Sequence, residues 1–230
     1  MVENNSEVPV VAIDGPSGAG KGAVSARVAR ELGWHLLDSG AVYRAVALAA
    51  LAADVNPEDQ AGLVGLCDSL PLSFRPGDDG IEVYLDQQPV GSRLRSEQVS
   101  AMASRVAALP AVRKALLELQ RSFRQSPGLV ADGRDMGTVV FPDATAKVFL
   151  HASVEERANR RYKQLKGKGE NVTFSRLFQD LEARDRRDRE RAVSPTIAAA
   201  DAKVIDSTDL GLDQVVAQVL SVVEYRLQDT

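Results

Sequence analysis

An α/β fold is predicted for this chain of 230 residues: a five-stranded parallel sheet covered by helices on both faces, with an inserted small antiparallel β subdomain and a helical lid. Three observations carry the prediction. Short β-branched or apolar runs at 10–13, 34–37, 128–132, 147–150 and 203–205 alternate with segments of helical period, as strands of a parallel sheet do when both faces are buried. Between residues 57 and 110 that alternation gives way to strand-like runs set close together. The first apolar run also ends in a glycine-rich turn that passes straight into a helix.

Residues 1–8 are expected to be a flexible tail. They lack both a basic start and an apolar segment, so no secretory signal is read there. Val10-Val11-Ala12-Ile13 is the first strand, and Asp14-Gly15-Pro16-Ser17-Gly18-Ala19-Gly20-Lys21-Gly22 the turn that follows it. In the next helix Val24, Val28 and Leu32 recur every four residues until Gly33 stops it. Gly15, Gly18 and Gly20 lack the Cβ atoms that would block close approach, so backbone N–H groups can wrap a phosphate at the positive end of the helix. Lys21 adds a point charge for β- and γ-phosphates, and the spacing fits the P-loop template. Gly22 stands where Ser or Thr usually ligates magnesium. The fold is therefore read as P-loop NTPase-like.

The second strand runs into Asp38-Ser39-Gly40 and a helix over 41–53, which either Asp38 or Ser39 can cap. Arg44 in its first turn opposes the helix dipole, which suits either a bound anion or a solvated side chain. The inserted stretch reads as a meander with strands at 70–74, 81–85 and 88–90, separated by turn residues at 76–80 and 86–87. Helical spacing returns at 112–123. The strand ending at Asp132 is followed by Gly133-Arg134-Asp135, at the carboxyl edge where open α/β sheets bind ligands. Asp132 is placed to hold magnesium through water. Arg134 and Asp135 either bind a ligand or pair with each other.

Ser153-Val154-Glu155-Glu156 resembles a capping box, and on the helix behind it Arg157, Arg160 and Arg161 share one face. Lys166-Gly167-Lys168-Gly169 breaks that helix, and a second charged helix carries Arg184, Arg187, Asp188 and Arg191 on one face. These two helices (about 157–191) form either a mobile cover over phosphates or solvated surface laced with ion pairs. The last strand and a closing amphipathic helix at 212–227 complete the core, which spans 9–56 and 111–230 around the 57–110 insert.

Composition narrows the function. The net charge is −4 and the pI about 5.3, against a surface that seeks nucleic acid or anionic lipid. Residues 155–191 depart from this average, with twelve Lys or Arg against eight Asp or Glu, so an anion is expected there. The longest apolar run has nine residues, too few to cross a bilayer. Cys67, the lone cysteine, reads as a core residue. No Asn-Lys-x-Asp stretch supports a GTP switch, and the acidic pI and the carboxylates interspersed among the arginines speak against an arginine-helix nucleic-acid module. A cytoplasmic monomer is expected, with no nucleic-acid and no membrane partner.

The parts suit phosphoryl transfer. Lys21 and the loop amides hold the donor phosphates with Mg²⁺, the helical arginines Arg157, Arg160 and Arg161 offset developing charge, and Arg44 and Arg134 grip a second phosphate. No acid–base dyad stands out, and a phosphate-monoester acceptor needs no strong base.

Four segments, Gly15-Pro16-Ser17-Gly18-Ala19-Gly20-Lys21-Gly22, Leu36-Leu37-Asp38-Ser39-Gly40-Ala41-Val42-Tyr43-Arg44, Ala131-Asp132-Gly133-Arg134-Asp135-Met136-Gly137-Thr138 and Arg184-Asp185-Arg186-Arg187-Asp188-Arg189, together resemble bacterial-type cytidylate kinase. The first is common to nucleoside monophosphate kinases, whereas the second, the third and the antiparallel insert point to the cytidylate branch. The resemblance implies transfer of the γ-phosphoryl group of ATP to CMP or dCMP. It also implies that 15–22 and Ala23 bind ATP, that Ser39, Arg44, Arg134, Arg184, Asp188 and Arg191 grip the monophosphate and its ribose, and that Ser104, Arg113 and Asp135 read cytosine. Gly22 is ordinary in that family; Ala23 departs from it, since threonine usually stands there. Another small P-loop kinase with a different monophosphate acceptor is the competing reading.

Overall fold

The computed structural model describes residues 8–67, 70–77, 80–94, 96–167, 169–190 and 193–228. The chain runs β1 (Val10–Asp14), α1 (Lys21–Leu32), β2 (His35–Asp38) and α2 (Ser39–Ala52). The insert follows as α3 (Gln60–Cys67), β3 (Leu72–Gly77), β4 (Gly80–Leu85), β5 (Gln88–Pro89), α4 (Gly91–Leu94) and α5 (Glu97–Val106). Then come α6 (Pro110–Ser122), β6 (Leu129–Asp132), a π-helical turn (Met136–Val140), β7 (Ala146–His151), α7 (Val154–Gly167), α8 (Phe174–Glu190), β8 (Lys203–Asp206) and α9 (Leu212–Gln228).

The main sheet is parallel, in the order β2-β6-β1-β7-β8. Its central strand β1 is buried on both faces, which is why 10–13 is apolar without alternation. Register matters more than order for the site. Ile13 pairs with Asp132, and Asp132 pairs with Asp38. Three carboxylates, those of Asp14, Asp132 and Asp38, therefore end three adjacent strands at one edge of the sheet, where the turns after β1, β2 and β6 leave it.

The insert holds the separate antiparallel sheet β3-β4-β5. Its strands are shifted from the expected spans: β3 starts at Leu72 and takes in Pro76 and Gly77, because the ladder from Leu72↔Leu85 to Gly77↔Gly80 leaves only 78–79 for the turn, and those two positions lie outside the described residues. The β4–β5 turn is Asp86-Gln87, both with positive φ (49° and 61°), as a two-residue hairpin turn with the sheet's twist requires. The insert is not a free-standing unit. Its Leu63, Ile81, Val83, Leu94 and Val106 belong to the same buried apolar cluster as β1 and α2, and Arg30 on α1 donates to the Gly77 carbonyl at 2.9 Å.

Local chemistry explains the helix starts. Asp38, not Ser39, caps α2 by accepting the Ala41 amide at 2.9 Å. Ser153 accepts the Glu156 amide at 3.2 Å, which is one half of a capping box; the return bond is not made, since the Ser153 amide donates to Thr208 Oγ1 at 3.0 Å and the Glu156 carboxylate accepts from Arg160 at 2.9 Å. Cys67 is buried and donates to the Leu63 carbonyl. Among the described residues no helix is long and apolar enough to cross a membrane. Of the expected tail at 1–8, residues 1–7 lie outside the described residues, while the Val8 carbonyl accepts from Arg124 Nε at 2.8 Å.

Candidate active site

One cavity of about 580 Å³ opens at the carboxyl edge of the sheet. The glycine turn forms one wall. Gly15 has φ 147°, and a Cβ there would lie 2.0 Å from the Leu150 carbonyl oxygen, so β7 packs directly on its Cα. Gly20 precedes α1 with φ 94°, turning the chain so that the helix N-terminus faces the cavity. Lys21 is buried, donates to the Pro16 carbonyl at 3.0 Å and lies 3.8 Å from Asp132.

The cavity gathers most of the residues singled out in the sequence: Ser17, Gly18, Gly20, Lys21, Gly22 and Ala23 from the turn; Ser39 and Arg44 from α2; Ser104 and Arg113 from α5 and α6; Asp132, Arg134 and Asp135 after β6; and Arg157, Arg160, Arg161, Arg184 and Asp188 from α7 and α8. Gly15, Pro16 and Ala19 do not line it; they shape the turn from behind. Arg191 lies outside the described residues.

The pairings within the site differ from those that sequence proximity suggested. Arg134 does not pair with Asp135. It reaches Asp188 on α8 at 3.3 Å, while Asp135 forms a buried ion pair with Arg113, which also donates to the Ala107 carbonyl and lies over the Tyr43 ring. Arg44 pairs with Asp38 at 3.0 Å. Ser39 donates to Gln120 on α6 at 2.7 Å.

A correction concerns Arg157, which was expected beside Arg160 and Arg161 as part of a mobile cover. Arg157 is 1% exposed, and its guanidinium makes four hydrogen bonds: it donates to the Ala152 and Ser17 carbonyls and grips both oxygens of Asp185, at 3.1 and 2.5 Å. Arg157 is thus a fixed strut between the glycine turn and α8. Arg160 also reaches back, to Ser207 and the Ala19 carbonyl. Arg161 donates to Gln164 and meets no carboxylate among the described residues. Removing the strut leaves the Asp185 carboxylate buried without its cation. Arg157→Met is therefore expected to cost about 3–5 kcal/mol of stability, read as a fall of about 10 °C in the thermal midpoint. A change below about 1 kcal/mol would refute the strut.

Cations crowd the cavity. Burial lowers the Lys21 ammonium to about 8, with Arg134 the next cause. Burial lowers Arg184 to about 10, again with Arg134 next and Arg44 and Arg187 adding to it. The Arg184 Nε is buried and has no hydrogen-bond partner among the described residues. A buried, unpartnered donor beside like charges is satisfied when an anion enters. Burial also raises Asp132 to about 6, with Lys21 opposing. Asp132 Oδ2 stands 3.6 Å from where a side chain at position 22 would begin, so this carboxylate covers the spot a P-loop hydroxyl would reach. Among the described residues no three potential metal-ligating side chains cluster. A magnesium ion at Asp132 fits that donor set only if water and substrate phosphate complete its shell, which is how Mg²⁺ is usually bound.

Sequence reasoning missed several members. Asp14 and Asp38 carried a readable signal, an acidic residue closing an apolar strand. Gln120 carried none; Tyr43 and Asp185 stand within the quoted segments, but their roles, like that of Gln120, depend on partners 70, 28 and 81 residues away.

A family model described as cytidylate kinase matches residues 11–225. A protein of that description from Aeromonas salmonicida (strain A449) is 55% identical over 221 residues, 96% of each chain. Another from Methylococcus capsulatus (strain ATCC 33009 / NCIMB 11132 / Bath) is 55% identical, covering 94% of this chain and 97% of the relative. A third, from Klebsiella pneumoniae (strain 342), is 52% identical over 96% of this chain and 98% of its own.

Proposed function

The chain belongs to the cytidylate kinase family and is an ATP-dependent CMP kinase, and on that premise we propose that ATP and CMP or dCMP meet head to head in the cavity above the carboxyl edge of the sheet. The carrying observation is the crowd of mutually repelling cations there, with an unpartnered Arg184 donor among them. Two phosphate tails supply the missing negative charge.

Main-chain amides of Ser17, Gly18 and Gly20 to Ala23 cradle the donor phosphates, with Gly15, Pro16 and Ala19 shaping the turn behind them, and Lys21 follows the β- and γ-oxygens through transfer. Arg134 and Arg161 bear on the oxygens of the transferred group, while Arg160 and Arg157 hold the turn in place. Ser39, Arg44, Arg184 and Asp188 hold the acceptor in line, with Arg191 extending that grip. The acceptor phosphate oxygen is already a nucleophile, so no side chain need take a proton from it before attack. Asp132 would hold Mg²⁺ through water, and the ion would supply charge neutralisation across the β- and γ-phosphates. Residues 57–110 act as the monophosphate-binding subdomain, and the part of 157–191 beyond the fixed Arg157 strut acts as the lid. The reading is of a cytoplasmic monomer.

Base choice rests on the Arg113–Asp135 pair and on Ser104. Arginine can donate to the ring carbonyl and nitrogen, and the carboxylate can accept from the exocyclic amine that uracil lacks. Asp135→Ala is expected to lower the ratio of kcat/KM for CMP over UMP by about 10- to 100-fold, the worth of one hydrogen bond to a charged group. Steady-state assays with CMP, dCMP, UMP, AMP and GMP test this. An unchanged CMP:UMP ratio removes Asp135 from the base pocket, and equal turnover of AMP would refute the acceptor assignment.

A further inference from the structure

Asp14 ends β1 immediately before the glycine turn, yet its side chain does not serve that turn. Its two carboxylate oxygens each accept one main-chain amide, Met136 at 2.8 Å and Gly137 at 2.8 Å, across more than 120 residues of sequence. The carboxylate is 4% exposed, and no lysine or arginine pairs with it among the described residues. Burial raises its pKa to about 7, with the two amides opposing. A carboxylate kept in such a place is held by its acceptor role.

These two bonds are not needed to register the sheet. The β1–β6 ladder already pairs Ile13 with Asp132, and the Gly133 amide continues it to the Ile13 carbonyl at 3.1 Å. Beyond that point the chain turns away through Arg134 and Asp135 into the π-helical turn, a widened geometry often found at functional sites. The far end of that turn is held separately, by Arg121 donating to the Val140 carbonyl at 3.0 Å. At the near end the first two amides after Asp135 have the Asp14 carboxylate as their acceptor. The direction in which Asp135 leaves the backbone is thus set from both sides, once by Asp14 and once by the closure of the π-helical turn, whose Val139 and Val140 amides meet the Asp135 carbonyl.

We infer that Asp14 is a positioning residue for base recognition: its carboxylate anchors the Met136 and Gly137 amides and so aims Asp135, with its Arg113 partner, at the acceptor base. The inference rests on the reading that Asp135 faces cytosine. Asp14 itself touches neither substrate.

The test compares Asp14→Asn with wild type and with Asp135→Ala. Asparagine keeps the shape but sets an NH₂ group against one of the two amides. The expected result is a rise of about tenfold in KM for CMP and a severalfold fall in the CMP:UMP ratio, with KM for ATP within twofold of wild type. Asp14→Ser, which retains a single small acceptor and introduces no fixed donor, should fall between the two. Hydrogen exchange on the full-length protein should show faster exchange at Met136 and Gly137 in Asp14→Asn while the 18–22 amides keep their protection. If KM for ATP rises as much as KM for CMP, or if exchange quickens across the glycine turn, Asp14 serves the donor loop and the inference is overturned. If both Asp14 variants fail to fold, the carboxylate is a general requirement of the fold and the inference is overturned equally. If Asp135→Ala shifts the CMP:UMP ratio and Asp14→Asn does not, the inference fails while the base-pocket reading stands. If neither shifts it, the base-pocket reading itself fails.

Discussion

Lys21→Ala is expected to lower kcat by about 10³-fold or more while the protein stays folded. The ammonium is buried, anchored by the Pro16 carbonyl at 3.0 Å and placed 3.8 Å from Asp132, so it is held in position before any nucleotide arrives. A fixed charge in a site with little water stabilises the transferring oxygens without reorganising, and removing one such group costs about 10²- to 10³-fold even when it is only a hydrogen-bond donor. A full positive charge against phosphate is worth more. Folding should survive, because the group removed is one that burial already disfavours in its charged form. The same burial supplies a second readout. At pH 8 the free protein holds Lys21 about half protonated, since its pKa lies at about 8, and phosphates arriving beside it favour the charged form. ATP binding at pH 8 should therefore take up about half a proton in wild type and much less in Lys21→Ala, measured calorimetrically in buffers of different ionisation enthalpy. Turnover within tenfold of wild type, or equal proton uptake in both proteins, would falsify the assignment.

Gly15→Ala is expected to leave little folded protein. The added Cβ would lie 2.0 Å from the Leu150 carbonyl oxygen and 3.0 Å from its carbon, both backbone atoms of a central strand, at a φ of 147° that L residues rarely adopt. Relief requires β7 to separate from β1, so a loss above about 4 kcal/mol is expected, in the range reserved for core overpacking combined with backbone strain. Two other glycines grade the effect. At Gly33 a Cβ meets nothing within 4 Å but φ is 67°, so Gly33→Ala should cost about 1 kcal/mol from backbone strain alone. At Gly22 the backbone is helical and the only neighbour is Asp132 Oδ2 at 3.6 Å, so Gly22→Ala should match or exceed wild-type stability, as alanine does within a helix. Thermal unfolding of the three variants reads the order directly. A stable Gly15→Ala protein would mean that the turn does not pack on β7 as described.

The strand-turn-helix at 10–32 was legible because everything that makes it is local: an apolar run, glycines at fixed offsets, and a helical repeat closed by Gly33. The five parallel strands were legible because each carries a short apolar or β-branched run, although only β1 and β6 are buried along their whole length and the edge strand β8 is largely exposed. The edges of the antiparallel patch were less so, because β3 extends through Pro76 and Gly77 by pairing with β4, and pairing is invisible in composition. The site followed the same divide. Arg134, Asp135, Arg184 and Asp188 could be singled out by type and by motif, but their pairing could not. The adjacent Arg134 and Asp135 point to Asp188 and Arg113, on α8 and α6.

Arg157 marks the boundary most clearly. Helical spacing alone groups it with Arg160 and Arg161 as one cationic face, and nothing in the sequence separates the three. In the fold, α7 leans on α8 and on the glycine turn, so the arginine nearest the sheet is sealed between the Asp185 carboxylate and the Ser17 carbonyl, while Arg161, four residues on, faces the cavity. Chain-local chemistry determined which segments form strands, turns and helices and which side chains carry charge. Tertiary packing alone decided which of those charges neutralise one another and which are left for a ligand, because burial and the distance to a partner are properties of contacts between segments far apart in the chain.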